Sequence, residues 1–526
     1  MNPVEREIKK IEKTIEKIFS YNINPDIIRQ QLRLFNSGVK VPVLVKPCAV
    51  SDGIIRLNPD EFDSLLKLHS EAADEGRLMK FVPASGAASR MFQKLLSVLN
   101  ENSELDLDSL RKLAEADKNY KAVYDLLTNL NKFAFYEDIK TILKTDDEEL
   151  NKIISNQPFK IVNTLLFEHG LNYASKPKGA IKFHKYENEN RTAFEEHIYE
   201  SVNYLLDKSK QIKIHFTISE EHQNLFTNII NELKKKLQKD LRLIHSYSFQ
   251  KKSTDTVAVN ENNEILFDKN GNVIMRPAGH GALIENLNDL NADIVIIKNI
   301  DNLSVEPFAE ETVFYKKLLT GYLIQIQNQI FKYLKILDDC NPETIELEEI
   351  ISFCKNKIFI NTPAEFDNYS KSAKINFLHN KLNRPIRVCG MVKNEGEPGG
   401  GPFWVKEDDG TLSLQIVEQA QINLNDEEQK RIFKESTHFN PVDLICGLRD
   451  YKGNNFNLHN FIDHQSGIIT KKSKDGIQLK ALELPGLWNG AMADWITIFI
   501  EVQISTFNPV KEINDLLRKQ HQTDFY

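Results

Sequence analysis

An aspartate set among carboxamides, in Asn299-Ile300-Asp301-Asn302, closes the short apolar run Asp293-Ile294-Val295-Ile296-Ile297. Such a run predicts a strand buried on both faces of a parallel sheet. Ligands of open α/β sheets bind at the carboxyl ends of strands. A carboxylate there suits a divalent metal carried by a phosphate-bearing substrate; a capping turn is the plain alternative. Upstream, Gly279-His280-Gly281 lets backbone come close to a flat ligand, because neither glycine has a Cβ. The plain alternative there is a histidine satisfied within its own turn.

A third stretch, Ala84-Ser85-Gly86-Ala87-Ala88-Ser89-Arg90, lies between a predicted strand over 78–84 and a helical pattern from Phe92. A strand, a turn of small residues and a helix make an anion cradle, since free N–H groups and the helix dipole both face the anion. Arg90 could add a bidentate phosphate contact. Lys178 follows in the loop Lys176-Pro177-Lys178-Gly179, and Lys511 stands near the C-terminal end. The loop 394–403 holds Gly399, Gly400 and Gly401; its strand flanks favour an ordered loop near a ligand over a linker. Glu418 is placed within an apolar strand over 413–420, where a carboxylate is costly unless paired or liganded. The segments 438–443 and Trp488-Asn489-Gly490 carry no chemistry that their residue types reveal and read as structural supports.

The elements that must hold these residues alternate. Strand patterns over 78–84, 212–218, 241–249 and 293–297 are separated by helical patterns, which predicts βαβ units and a mainly parallel sheet. Residues 4–35 show Val4, Ile8, Ile11, Ile15, Ile18 and Phe19 at helical steps. The chain is therefore divided into a helical region over 1–75, an α/β core over 76–340 with a helical insertion at about 104–170, an accessory helical insertion over 341–385, and a second half of the core with the C-terminal region over 386–526.

With 526 residues, 41% hydrophobic and 27% charged, the chain has the composition of a soluble globular protein, too long for one ordinary core, so two to four domains or one elaborated large domain are expected. A net charge of −8 excludes the basic footprint of a nucleic-acid binder. No apolar run reaches eighteen residues and the first ten residues lack an apolar core, so neither a membrane helix nor a secretory leader is expected. The five cysteines are scattered and the histidines show no zinc spacing. The expected location is the cytoplasm.

In order, the motifs resemble the UDP-sugar pyrophosphorylases, above all the UTP–glucose-1-phosphate uridylyltransferase branch. The resemblance rests on the small-residue turn at 84–91, Pro177-Lys178, Phe249-Gln250, Pro277-x-Gly279-His280-Gly281 and Asn299-x-Asp301-Asn302. It continues through Gly400-Gly401, Val417-Glu418-x-Ala420-Gln421 and Phe507-x-Pro509-Val510-Lys511. The whole chain also resembles an uncharacterised bacterial domain-of-unknown-function family near these enzymes. Two departures stand out: Ser85-Gly86-Ala87-Ala88 replaces a glycine-richer loop, and the insertion separates Arg90 from Lys178.

The resemblance implies a Rossmann-like, glycosyltransferase-A-like nucleotide-diphospho-sugar fold. It implies transfer of a nucleotidyl group, from an NTP such as UTP to a sugar-1-phosphate-like acceptor, with Mg2+. Under it Arg90, Lys178 and Lys511 form the cationic clamp, and Asp301 holds the metal. Ala84, Ser85, Gly86, Ala87, Ser89, Gln250 and Gly279 bind the nucleotide; His280, Gly281, Asn299, Gly400, Gly401 and Glu418 meet the acceptor. The expected partners are thus a nucleoside triphosphate and a phosphorylated small molecule, with no nucleic acid and no membrane. A glycosyltransferase of the same fold, or a nucleotide-binding protein without turnover, would use the same residue types.

Overall fold

The computed structural model describes residues 25–339, 343–396, 399–474 and 477–525. It divides into two compact units, each assembled from three separated segments. The first comprises Met1–Leu68, Gln250–Ile296 and Leu319–Val502; the second comprises His69–Phe249, Ile297–Leu318 and Gln503–Tyr526. The architecture is mixed α/β, with mainly parallel pairing in the central sheet.

In the second unit, Leu78–Pro83 pairs parallel with Gln211–Ile218, which pairs parallel with Arg242–Phe249. Ile212, Ile214, Phe216 and Ile218 are buried at every second position, the period that drives a strand into a sheet. The connection between the last two is the helix Gln223–Lys236, whose Phe226, Ile230 and Leu233 are buried. The helix Ala193–Leu205 starts in a capping box, with the Thr192 hydroxyl accepting from Glu195 N–H and the Glu195 carboxylate accepting from Thr192 N–H. The insertion is helical as expected: Leu107–Ala114, Lys118–Thr128, Tyr136–Leu143, Asp147–Asn156 and Pro158–Leu166.

In the first unit, a sheet runs in the order Ala49–Val50, Gly53–Ile55, Ile496–Glu501, Ile386–Lys393, Asp443–Gly447. The first three contacts are parallel and the fourth antiparallel. Two smaller antiparallel sheets accompany it. One joins Val43–Pro47, Gly401–Lys406 and Leu412–Val417; the other joins Met275–Arg276, Thr256–Val259, Ile477–Glu483 and Ile468–Lys474. The strands at 43–55 interrupt the helical pattern read over 1–75: helices occupy Pro25–Ser37 and Phe62–Asp74, while β-branched residues at 41–45 and 54–55 favour extended backbone. Residues 4–24, where the rest of the N-terminal helical pattern falls, lie outside the described residues. The strand over 413–420 ends earlier than expected, at Val417, and Glu418 caps the short turn Gln419–Gln421. The helix expected from Phe92 begins at Gln93, after a turn of 3-10 helix at Ala88–Phe92.

Candidate functional site

In the second unit, three predicted segments converge on one ion pair. Lys178 Nζ donates to Asp301 Oδ2 at 2.9 Å and to the Val510 carbonyl at 3.0 Å. The Val510 N–H in turn donates to the Asp301 carbonyl at 3.0 Å, so the C-terminal segment and the aspartate turn hold each other through backbone as well. The small-residue turn joins the same knot. Lys178 N–H donates to the Gly86 carbonyl (3.1 Å) and Ala88 N–H to the Lys176 carbonyl (3.2 Å), an isolated antiparallel bridge between Ala87 and Pro177. The Ala88 N–H is therefore spent, while the N–H groups of Gly86 and Ala87 stay outside the bridge.

This geometry changes the cradle expected from sequence. Because a 3-10 turn precedes Gln93, the turn 85–87 does not lead straight into an α-helix, and the helix dipole falls away within about one turn. Ala84 is buried in the sheet, its N–H bonded to the Thr217 carbonyl at 2.8 Å, while Gly86, Ala87, Ser89 and Arg90 are exposed. The Ser85 carbonyl accepts from the Ser219 hydroxyl at 3.2 Å. Arg90 makes no ion pair among the described residues. Lys511 is exposed; its N–H donates to Asp515 Oδ2 at 2.7 Å, and its Nζ lies 5.8 Å from the centre of the Phe507 ring.

The two carboxamides beside Asp301 part ways. Asn302 is buried, and its Oδ1 accepts from Asn508 N–H at 2.8 Å, which makes it a staple for the tail. Asn299 is half-buried and its carbonyl accepts from Asn302 N–H at 3.2 Å, closing the turn. No group of three or more His, Cys, Asp or Glu side chains forms a metal cage among the described residues. What the turn offers is one partly exposed carboxylate, 24% exposed in its side chain. That donor set fits Mg2+, which is commonly held by one or two carboxylates together with substrate phosphates and water.

In the first unit, a second constellation gathers around Glu418. Its Oε1 accepts from Trp488 Nε1 and from Asn489 Nδ2, both at 3.2 Å. Asn489 Nδ2 also donates to Gln421 Oε1 at 2.9 Å, and the same oxygen accepts Glu418 N–H at 2.9 Å. The indole of Trp488 stacks on the His280 ring, with centroids 4.4 Å apart and planes 18° from parallel. Burial pushes the His280 pKa below its ordinary value, although Glu418 and Glu483 pull it up. Burial thus favours the uncharged form of the ring.

Gly279 has φ +76°, a left-handed conformation that favours glycine, and Gly281 packs so tightly that a Cβ would come within 2.4 Å of the Pro485 carbonyl oxygen. Gly401 pairs with Val417 across the hairpin, which brings the Gly400-Gly401 loop end beside Glu418. Gln250 Nε2, Arg276 Nε, His280 Nδ1 and Asn489 Oδ1 are among the polar atoms of this unit shielded from solvent without a hydrogen-bond partner. Gln250 stays outside the bonded cluster.

Trp488 and Asn489 were readable in sequence only as supports, since nothing local reveals that a carboxylate some seventy positions away is their partner, and Gln421, three positions from Glu418, only as part of a resemblance. Val510 contributes through its carbonyl, which no residue type announces.

Residues 11–522 match the family described as "Domain of unknown function (DUF4301)". The chain belongs to that family. No curated protein matches this DUF4301 sequence. Among solved structures, it is similar to the uridine diphosphate N-acetylglucosamine pyrophosphorylase from Trypanosoma brucei in complex with inhibitor, at 12% identity and TM-score 0.44, covering 93% of this chain and 72% of that one. It is also similar to a mutant of UDP-glucose pyrophosphorylase from Leishmania major in complex with UDP-glucose, at 11% identity and TM-score 0.43, over 96% and 78% of the two chains. A putative UDP-N-acetylglucosamine pyrophosphorylase from Entamoeba histolytica gives 13% identity and TM-score 0.43, over 91% and 85%. No helix of the described residues is long and apolar enough to cross a membrane.

Proposed function

We propose that this DUF4301 protein is a nucleotidyltransferase, which joins an NTP, UTP foremost, to a sugar-1-phosphate-like acceptor and releases pyrophosphate. The observation that carries the reading is the Lys178–Asp301 pair. A cation and a carboxylate from distant parts of the chain meet at 2.9 Å, with the small-residue turn and the C-terminal segment bonded to the same lysine.

In this reading an ionised acceptor-phosphate oxygen attacks the α-phosphorus, the bond from that phosphorus to the bridging oxygen of the β-phosphate breaks, and the electron pair leaves with pyrophosphate. An oxygen already ionised at pH 7 needs no general base, so the protein's work is positioning and charge neutralisation. Lys178 neutralises phosphate charge, with Asp301 holding its ammonium in place. The N–H groups of Gly86 and Ala87 donate to phosphate oxygens, and exposed Arg90 and Lys511 add positive charge from flexible side chains.

Asp301 is the residue that would hold Mg2+, which when bound neutralises phosphate charge and orients the triphosphate. Gln250 and Gly279 serve the nucleobase. Glu418, fixed by Trp488 and Asn489, accepts hydroxyl hydrogens of the acceptor, and the His280 ring supplies a polar edge and a flat face. Within the first unit, Gly281, Gly400 and Gly401 offer backbone to the acceptor.

The deciding experiment is a pyrophosphate-release assay on the purified full chain with Mg2+, each of the four NTPs and a panel of sugar-1-phosphates, beside Asp301→Ala. Release that requires one NTP and one acceptor and disappears in the variant is the expected result. Nucleotide binding without release from any pair would overturn transferase activity toward these acceptors and turn attention to glycosyl transfer.

A further inference from the structure

In the second unit, the helix Ala193–Leu205 turns four buried polar side chains, His197, Glu200, Ser201 and Tyr204, to one side. Their spacing of three and four places them on a single face. Glu200 receives a lysine on each oxygen. Lys298 Nζ donates to Oε2 at 2.6 Å, and Lys80 Nζ donates to Oε1 at 3.4 Å, where the Tyr204 hydroxyl also donates at 2.9 Å.

Both lysines are fully buried, and each lies in a strand that leads into a loop of the candidate site: Lys80 into the small-residue turn, Lys298 into the Asp301 turn. Lys80 Nζ and the Ser201 hydroxyl also donate to the His197 carbonyl, at 3.0 and 2.6 Å. The His197 ring then reaches the turn itself. Its Nε2 lies 3.2 Å from the carbonyl oxygen of Ile300, the residue before Asp301. A carbonyl only accepts, so Nε2 carries the proton and donates.

Asp301 is thus approached on both sides through backbone: the Ile300 carbonyl is held by His197, and its own carbonyl by the Val510 N–H. A lysine–carboxylate pair can hold a substrate only in a narrow geometry, and a turn free to rotate would lose it. We propose that His197 is a positioning residue, which with Glu200 locks the turn 299–302 so that Asp301 keeps its contact with Lys178. The consequence for turnover rests on the proposed function; the locking of the turn does not.

The test compares His197→Asn with His197→Gln in the full chain. Asparagine is too short to reach the Ile300 carbonyl, whereas the glutamine Nε2 extends about as far as the imidazole Nε2. Hydrogen–deuterium exchange of peptides spanning 297–303 and 508–511 reads the turn directly, through the amides of Asn302, Leu303 and Val510. The expected result is exchange roughly tenfold faster in His197→Asn, confined to these peptides, with protection restored in His197→Gln. Equal protection in both variants and the wild type would overturn the proposal. So would equal loss in both, which would assign the effect to ring packing, and so would global unfolding of both, which would make the histidine a support for the whole unit. Where the wild type releases pyrophosphate, His197→Asn should also lower kcat several-fold and raise the Mg2+ half-saturation point, with the acceptor KM unchanged. If the wild type releases none, the proposed function falls while the exchange result still decides the role of His197.

Discussion

Lys178 and Asp301 stand 123 positions apart in the chain, yet their ammonium and carboxylate meet at 2.9 Å, with Lys178 14% and Asp301 24% exposed. A partly buried pair of this kind is stronger than a surface pair, because water screens it less. The lysine has a second acceptor in the Val510 carbonyl, which fixes its direction. Lys178→Met should lower kcat/KM for pyrophosphate release by about 10²–10³-fold, the size seen when one preorganised charge-stabilising donor is removed. Steady-state kinetics with the best NTP and acceptor from the screen check this. Lys178→Arg should recover part of the loss, since the charge remains while the geometry of the single Nζ donor does not.

Glu418 is fixed differently, by an indole N–H and a carboxamide that share one of its oxygens. The carboxylate also caps the turn Gln419–Gln421, and in the proposed reading a remaining lone pair of it meets a substrate hydroxyl. A hydrogen bond to a charged acceptor contributes about 1.5–3 kcal/mol, so Glu418→Gln should raise the acceptor KM by roughly 10- to 100-fold. The nucleotide Kd, measured by calorimetry, should stay as in the wild type. A weakened nucleotide Kd would move Glu418 out of the acceptor role.

The strand-and-helix alternation was legible because burial imposes a period of two on strands such as Gln211–Ile218 and a period near 3.6 on helices such as Gln223–Lys236. The Asp301 turn was legible for the same reason: its strand is a run of buried β-branched residues with a polar end. The partner of Glu418 was not legible. Trp488 and Asn489 lie in a loop whose own sequence shows no periodicity, and only tertiary folding brings them to the carboxylate. The helix pattern from Phe92 falls within one residue of the observed start at Gln93, but the 3-10 turn Ala88–Phe92 before it was not legible, because small residues fit 3-10 and other turns alike. The network of Lys80, Glu200 and Lys298 was hidden because a lysine in a strand reads as an exposed face until its neighbours are known.

Gly486 lies against the His280 ring, and a Cβ added there would sit 2.5 Å from Cε1. The ring cannot simply rotate away, since it is stacked on Trp488 and followed by Gly281, whose close approach to the Pro485 carbonyl fixes the backbone. Gly486→Ala should therefore break the stack. The expected cost is about 1–3 kcal/mol in urea unfolding, as for overpacked interiors. The fluorescence of Trp488, one of three tryptophans, should change at the same time. Unchanged emission with unchanged stability would show that the ring moves aside freely.

Lys80 gives the sharpest pH prediction. Burial pushes its pKa down to about 7, Glu200 pulls it up, and Lys298 pushes it down further. In the unfolded chain a lysine titrates near 10.4. Between about pH 7 and 10.4 the unfolded chain therefore binds a proton that the folded chain does not, and on this group's account stability rises with pH through that window. Below pH 7 both states are protonated, and the full cost of burying the charge is present. Lys80→Met removes the titrating group but leaves Glu200 paired with Lys298 at 2.6 Å. At pH 6, where the wild type carries the full cost of the buried charge, the variant should stand at its most favourable relative to the wild type. Its relative standing should fall steadily toward pH 9 as the wild type gains stability. Urea unfolding of both proteins at pH 6, 7.5 and 9 measures it, and parallel curves across the three pH values would show that Lys80 does not lose its proton in the folded state.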